Sequence, residues 1–128
     1  EERILFVSSV GELYSLDAKT GRPDKGFGDD GLVDLKQFLT RKKVARTISG
    51  TSPPLVIGDS VIPSYWMNDQ SSYIEMPPGD VWSIDVRTGA LNWTFHTIPR
   101  DGEFGADTWE GDARSYTGNA NPWAVPRN

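Results

Sequence analysis

The chain has 128 residues, a formal net charge of −5, 37% hydrophobic and 24% charged residues, and no cysteine. This composition is typical of a globular domain rather than a disordered one. The acidic balance argues against a nucleic-acid partner, whose phosphates require a basic surface. The lack of cysteine excludes disulfides and thiolate–metal sites. No apolar run approaches the roughly 20 residues of a membrane-spanning helix, and the first residues do not resemble a signal peptide.

Two strands and a short helical pattern come first in chain order. An apolar strand is predicted over 3–7, and a second strand over 13–18, where side chains alternate with a period of two. The second strand runs into Asp-x-x-Thr-Gly at 17–21. In such a turn the Asp carboxylate accepts bonds from backbone N–H groups two or three residues on, and Gly supplies a positive φ. Residues 34–46 then have a short helical pattern that Asp34 can cap.

The second half of the chain contains a complete four-stranded pattern. Its second turn, at 85–89, is again Asp-x-x-Thr-Gly, and the returning strand carries Leu91, Trp93 and Phe95 on one face. A four-stranded antiparallel meander of this kind is one blade of a β-propeller. The four strands are predicted at 54–57, 61–62, 81–86 and 91–95.

An internal repeat supports this interpretation. GELYSLDAKTG at 11–21 and GDVWSIDVRTG at 79–89 are identical at five positions and begin 68 residues apart. That spacing exceeds the roughly 40–45 residues of a plain propeller repeat, so insertions are expected. The predicted repeat units lie around 3–33 and 54–96, the insertions at 34–50 and 63–78, and a remaining loop at 97–128.

The fold class that follows is all-β, a fragment of about two blades of a β-propeller with four-stranded antiparallel blades. Because closure needs about four to eight blades, we expect the chain to be part of a longer propeller. Its sheet edges would favour association with the remainder of the propeller or with a second copy.

Longer motifs carry a resemblance to a known family. Asp-x-x-Thr-Gly-x-x-x-Trp at 85–93 resembles the tryptophan-docking motif of dehydrogenases that depend on pyrroloquinoline quinone (PQQ), whereas the first repeat has Lys25 in place of the Trp. The chain is most similar to the bacterial quinoprotein glucose dehydrogenase group, and more broadly to quinoprotein alcohol dehydrogenases. The stretches that carry the similarity are 16–35, 51–62, 76–110 and 116–124.

The resemblance implies an eight-bladed propeller with PQQ on its axis and a Ca²⁺ or Mg²⁺ ion between protein and cofactor. It also implies oxidation of a glucose-like sugar or an alcohol, with electrons passed to a quinone or a cytochrome. The implied location is the periplasm, with any inner-membrane anchor in a segment outside this chain.

The same resemblance assigns four candidate cofactor-binding residues. Trp123 would stack its indole on the PQQ plane, and Asn121 would hydrogen-bond the cofactor. Thr51 would contribute a hydroxyl, with its neighbour Ser52 as a substitute. The alternatives are an ordinary packing Trp, a turn-forming Asn and a pair of strand-capping hydroxyls.

Asp69 is the candidate metal ligand, because the family places a carboxylate about ten residues before the Gly at position 79. A hard cation prefers carboxylate oxygens. Asn68 is the alternative if the alignment slips, and an ordinary surface-loop Asp is the simpler interpretation.

No residue of the chain matches the family's catalytic Asp, so the sequence predicts no catalytic residue here. His96, the single histidine, invites a general-base role, but its place after a blade strand favours a structural one. The acidic residues Glu103, Asp107 and Glu110 fall in a loop expected to pack through Phe104 and Trp109. Two other functions remain open: a cofactor-free propeller that acts as a scaffold, and a sugar-binding, lectin-like propeller.

Overall fold

The computed structural model of the chain describes residues 2–41, 48–67 and 75–121. The regular secondary structure of the described part is mainly β-strand, with two single 3₁₀ turns and one short α-helix. None of these helices has the length and apolar character needed to cross a membrane. The strands are β1 (Arg3–Val7), β2 (Glu12–Asp17), β3 (Leu32–Asp34), β4 (Ile48–Ile57), β5 (Ser60–Met67), β6 (Val81–Asp85) and β7 (Leu91–Phe95); the 3₁₀ turns are Leu35–Phe38 and Ala106–Thr108, and α1 is Ala113–Tyr116.

The strands form two antiparallel sheets. The first has the order β1-β2-β3, and the second has the order β4-β5-β6-β7. In the second sheet every strand pairs with the next one in the chain, which is the four-stranded meander that the sequence predicted. The all-β prediction and the blade architecture are therefore confirmed.

Both Asp-x-x-Thr-Gly turns have the predicted chemistry. Oδ1 of Asp17 accepts hydrogen bonds from the backbone N–H of residues 19 and 20 at 3.1 and 2.7 Å. Oδ1 of Asp85 accepts the equivalent bonds from residues 87 and 88 at 3.0 and 2.8 Å. Gly21 and Gly89 follow with φ of 68° and 75°, a conformation that only glycine adopts without strain. The repeat thus encodes one turn geometry twice.

The strands β4 and β5 are longer than the sequence indicated. They begin at Ile48 and end at Met67, so they extend into the predicted insertions at 34–50 and 63–78. The register of β4 shifts on both sides of Ser52, where Pro53 and Pro54 lack the N–H group needed for a regular ladder. Because the prolines and the bulge interrupt the alternation of side chains, the sequence pattern did not predict strand before residue 54.

Within 34–41, the described part of the predicted helical pattern, the structure has one 3₁₀ turn. Asp34 caps it as predicted, since its Oδ1 accepts a bond from the Lys36 N–H at 3.0 Å. Leu39 already has extended backbone dihedrals and ends the turn. Residues 42–46 lie outside the described part of the chain.

The two sheets share one hydrophobic core. The first sheet contributes Leu13 and Val33, and the second contributes Val61, Trp82 and Ile84, all almost completely buried. The sheets also meet through backbone, because the Gly50 N–H donates to the Ser8 carbonyl at 2.9 Å. This packing sets the position of β5, on which the candidate site is built.

The outermost strand β7 presents large apolar side chains to solvent. Trp93 and Phe95 are 48% and 63% exposed, and Leu91 is 42% exposed. Trp93 is the residue that the docking motif assigns to packing against a neighbouring blade. That packing stays a prediction.

Candidate functional site

Hydroxyl groups gather where the β4 strand bulges. The Oγ1 of Thr51 lies 3.4 Å from the Oγ of Ser64. Ser52 is the direct cross-strand partner of Ser64, and Gly50 is the partner of Tyr65, so the bulge places Thr51 between two regular pairs. Thr51 is exposed and Ser52 is half-buried. The bulge therefore leaves Thr51 exposed while its hydroxyl contacts that of the buried Ser64.

Asn121 reaches the same part of β5 from the far end of the chain. Its Nδ2 donates to the Tyr65 carbonyl at 2.7 Å. A Cβ added to Gly79 would lie 2.2 Å from the Asn121 backbone nitrogen, so the two segments are in close contact. Only glycine at position 79 permits this approach.

The structure thus brings Thr51, Ser52 and Asn121 together around two adjacent residues of β5, Ser64 and Tyr65. Their role as cofactor ligands stays a prediction. Two other candidates, Trp123 and the metal ligand Asp69, lie outside the described residues, as does Asn68. Within residues 2–41, 48–67 and 75–121, no group of three or more acidic, histidine or cysteine side chains could hold a metal ion.

The loop that ends in Asn121 is pinned to the segment before β6. The Met76 N–H donates to the Tyr116 carbonyl at 3.1 Å, and the Asn119 N–H donates to the Pro77 carbonyl at 3.0 Å. A Cβ on Gly118 would lie 2.3 Å from the Met76 oxygen. Asn119 has a φ of 59°, in the left-handed region that Asn tolerates better than most residues. The segments Met-Pro-Pro-Gly and Gly-Asn-Ala-Asn therefore act as one packed unit.

A buried carboxylate, Asp80, lies beside this unit and was not singled out from the sequence. It is 2% exposed, and its Oδ1 accepts a bond from the Thr97 N–H at 3.3 Å. Burial raises the pKa of Asp80, while His96, the bond from the Thr97 N–H, and the guanidinium groups of Arg100 and Arg41 oppose that rise. The one available sequence signal is that the repeat keeps an acid at equivalent positions, Glu12 and Asp80.

The aromatic rings of Tyr65 and Trp82 stack on each other, and Tyr65 also binds the backbone of Asp80. The rings of Tyr65 and Trp82 are parallel within 6°, with centroids 4.7 Å apart. The Tyr65 hydroxyl donates to the Asp80 backbone carbonyl at 2.6 Å. Burial, and then the Asp80 charge, raise the pKa of Tyr65 well above its usual value. The hydroxyl therefore stays protonated and holds β5 to the start of β6.

His96 contacts the following loop rather than the candidate cofactor residues. Its Nδ1 lies 2.7 Å from Oε1 of Glu103, whose Oε2 accepts a bond from the Arg100 N–H at 2.7 Å. These bonds, first the one from Arg100 and then the one from His96, lower the pKa of Glu103. The arrangement agrees with a structural role for His96. The expectation that this loop packs through Phe104 is wrong, since Phe104 is fully exposed at the tip of the turn between Gly102 and Gly105.

Comparison with known proteins gives one family over nearly the whole chain. The β-propeller domain described as "PQQ: Glucose/ethanol/alcohol dehydrogenase" matches residues 1–126. The quinate/shikimate dehydrogenase (quinone) of Acinetobacter baylyi is 32% identical over 124 residues, which is 96% of this chain and 15% of that protein.

Two further relatives act on other compounds according to their names. Quinoprotein glucose dehydrogenase A of Acinetobacter calcoaceticus is 31% identical over 115 residues, covering 89% of this chain and 14% of its own length. The glycerol dehydrogenase large subunit of Gluconobacter oxydans is 29% identical over 123 residues, covering 96% of this chain and 16% of its own length. The chain thus spans about one seventh of the length of each of these relatives.

Proposed function

Because this chain belongs to the β-propeller domain family of PQQ glucose, ethanol and alcohol dehydrogenases, we propose that it forms part of a quinoprotein that oxidises a sugar or an alcohol. The observation that carries the proposal is the convergence of Thr51, Ser52 and Asn121 at Ser64 and Tyr65 of β5. Asn121 lies 56 residues from Tyr65 in sequence, and packing brings it to the β4–β5 hairpin that carries the two hydroxyl residues.

The residues present suit a planar quinone that carries carbonyl and carboxylate oxygens. Hydroxyl groups donate and accept hydrogen bonds, and an amide has a second N–H and an oxygen beyond the bond that Asn121 makes to Tyr65. Trp123 would add an aromatic face for stacking, worth about 0.5–1.5 kcal/mol beyond area burial. When bound, PQQ supplies the two-electron oxidation itself, and the protein supplies binding and orientation.

We assign the metal-binding role to Asp69, with Asn68 as the alternative. A Ca²⁺ ion takes six to eight oxygen ligands. One carboxylate is too few, so the cofactor and residues elsewhere in a complete propeller would supply the remaining oxygens. Ca²⁺ is the leading candidate and Mg²⁺ the second.

The substrate class rests on the names of the relatives. Quinate or shikimate, glucose and glycerol all present secondary or primary hydroxyl groups on a polyhydroxylated carbon skeleton. We therefore propose a polyhydroxylated sugar or alcohol as substrate. A quinone is the proposed electron acceptor, because the name of one relative specifies it, with a cytochrome as the alternative. The periplasm is the proposed location on the basis of the family resemblance alone.

The direct test uses a recombinant protein that contains this chain within a complete propeller. After reconstitution with PQQ and Ca²⁺, we expect dye reduction that depends on a sugar or an alcohol from a broad panel. A reconstituted protein that binds no PQQ and reduces no dye with any member of the panel would contradict the proposal and favour a cofactor-free scaffold.

A pair of variants, one at the candidate site and one at a control position, tests whether Asn121 binds the cofactor. We expect Asn121→Ala to weaken PQQ affinity about 3–10-fold, because it removes a polar contact worth about 0.5–1.5 kcal/mol. Asn92→Ala is the matched control, since it also removes one amide contact, the 3.3 Å bond to Ser60, at an exposed position on β7. Equal effects of the two changes would argue against a cofactor role for Asn121.

A further inference from the structure

We propose that Arg41 is a positioning residue that locks the asparagine loop, residues 113–121, in the place where Asn121 serves the cofactor. The consequence for cofactor binding rests on the proposed function, whereas the hydrogen bonds of Arg41 do not depend on it. Arg41 lies within residues 34–50, which the sequence predicted to be an insertion between the repeat units.

The Arg41 guanidinium joins two separate segments. Its Nη1 donates to the Met76 carbonyl at 3.0 Å and to the Thr117 carbonyl at 2.8 Å, and its Nη2 donates to the Arg114 carbonyl at 2.9 Å. Two of these carbonyls belong to the asparagine loop, and the third belongs to the segment before β6. One side chain therefore bridges both halves of the packed unit.

The acceptors are groups that need a donor. Arg114 lies within α1, which ends at Tyr116, and Thr117 is its C-terminal cap. The last carbonyls of a helix have no partner inside the helix, and a basic side chain can satisfy them. A planar guanidinium with five N–H donors reaches three carbonyls at once, whereas a lysine ammonium acts as a compact point charge.

The backbone of Arg41 is held in an unfavourable conformation. Its φ is 56°, in the left-handed region that a non-glycine residue rarely adopts. Such a conformation persists where surrounding contacts determine it, and these positions are concentrated at functional sites. Glu75 and Asp80 also place negative charges near the guanidinium. Hydrogen bonds and charge therefore act together on this one side chain.

The consequence for the site follows from the close contacts of the loop. Asn121 meets Tyr65 and Gly79 at the end of the loop that Arg41 holds. Without the guanidinium, the loop would keep the backbone bonds of Met76 and Asn119, the bond from Asn121 to Tyr65 and the exposed Arg114–Asp101 ion pair, but it would lose three bonds that fix its start to the segment before β6. The loop would then open more often, and the Asn121 amide would be placed less accurately.

Amide hydrogen exchange measures how firmly Arg41 holds the asparagine loop, and it requires no assay of activity. In Arg41→Ala we expect the Met76 and Asn119 amides to exchange about tenfold faster, because local opening becomes easier, while the Gly89 amide in the distant turn keeps its rate. Arg87→Ala is the matched control: it removes the same charge and an exposed 2.8 Å ion pair with Asp59, and it should change neither Met76 nor Asn119.

Rescue separates positioning from a general loss of structure. Millimolar guanidinium ion added to Arg41→Ala should slow exchange at Met76 and Asn119 again, and Arg41→Lys should recover only part of the protection. Equal acceleration at every amide in Arg41→Ala and Arg41→Lys, without rescue, would overturn the proposal. Unchanged exchange at Met76 and Asn119 would overturn it as well.

PQQ titration of the complete propeller then tests the link to the cofactor. We expect Arg41→Ala to weaken PQQ affinity severalfold, with recovery by guanidinium ion, and Arg87→Ala to leave it unchanged. Faster exchange in Arg41→Ala with unaltered PQQ affinity would overturn the cofactor-positioning role alone. Failure of the unsubstituted protein to bind PQQ would instead overturn the proposed function, and the two failures are thereby distinguishable.

Discussion

The Gly28 N–H donates to the Thr88 carbonyl at 2.9 Å, and this bond joins the turn of the second blade to the first sheet. A Cβ added to Gly89, the next residue of the turn, would lie 2.7 Å from Cγ2 of Val33 and 2.8 Å from the Gly28 nitrogen. The equivalent residue of the first turn, Gly21, has no atom within 4 Å of an added Cβ. The repeated turn therefore has two different surroundings.

This difference predicts unequal effects of the same substitution. Both Gly21→Ala and Gly89→Ala place a side chain at positive φ, which costs about 1–2 kcal/mol. Gly89→Ala should lower the free energy of unfolding by roughly 1–3 kcal/mol more, because the methyl group collides with the first sheet. Urea unfolding followed by tryptophan fluorescence measures both values. Equal losses would show that the second turn does not pack against the first sheet.

Because Asp80 is a buried carboxylate, we expect its replacement by an amide to stabilise the fold by an amount that depends on pH. Because its pKa is raised in the folded state, the stability that protonated Asp80 contributes is fully present below the unfolded pKa of about 4 and is lost as pH rises through the folded pKa. Asp80→Asn should therefore raise the melting temperature at pH 7, and the gain should vanish in acid. A melting temperature that falls at pH 7 would mean that the nearby cations make ionised Asp80 stabilising.

For Asp85→Asn we expect a change in melting temperature at pH 7 that is opposite in sign to that of Asp80→Asn. The backbone bond from Thr88, followed by its hydroxyl, lowers the pKa of Asp85. Its contribution to stability is therefore present above the unfolded pKa and is lost as pH falls through the folded one. We expect Asp85→Asn to lower the melting temperature at pH 7 and to converge on the unsubstituted protein in acid. Parallel pH profiles for the two variants would contradict both assignments.

The contact between Gly79 and Asn121 predicts a local effect at the candidate site. Gly79→Ala should displace the asparagine loop, because the added Cβ would overlap the Asn121 backbone, at a cost of about 1–3 kcal/mol. Faster amide exchange at Asn119 would report the displacement. Gly26→Ala is the control, since its Cβ would meet only Asp24 Oδ1 at 3.5 Å. A Gly79→Ala protein with native exchange at Asn119 would disprove the contact.

The apolar surface of β7 predicts self-association of the isolated chain. Trp93→Ser should reduce association in sedimentation velocity experiments, because an exposed apolar edge strand offers a surface to another copy. Its effect on unfolding should be small, since Trp93 is already 48% exposed. Val10→Ser changes a side chain that is 55% exposed away from this strand, and it should leave association unchanged. A monomeric unsubstituted chain would contradict the prediction.

Local sequence patterns were sufficient for the turns, the strand order and the family. The bonds that Asp17 and Asp85 make depend on residues two and three positions away, so the motif alone specifies them. Strand β7 and the start of β6 were also found, because alternation is a local signal. The limits of β4 were missed, since two prolines and a bulge interrupt the alternation there.

By itself, then, the sequence determined the repeated turn, the antiparallel meander and the kinship with quinoprotein dehydrogenases. Only the tertiary structure decided that Asn121 meets Tyr65, that Asp80 is buried among cations and that Arg41 bridges two loops. The physical reason is distance along the chain. The bonds of Asn121 and Arg41 join residues 35 to 76 positions apart, and no local pattern records which polar side chains the packing of two sheets will bring together.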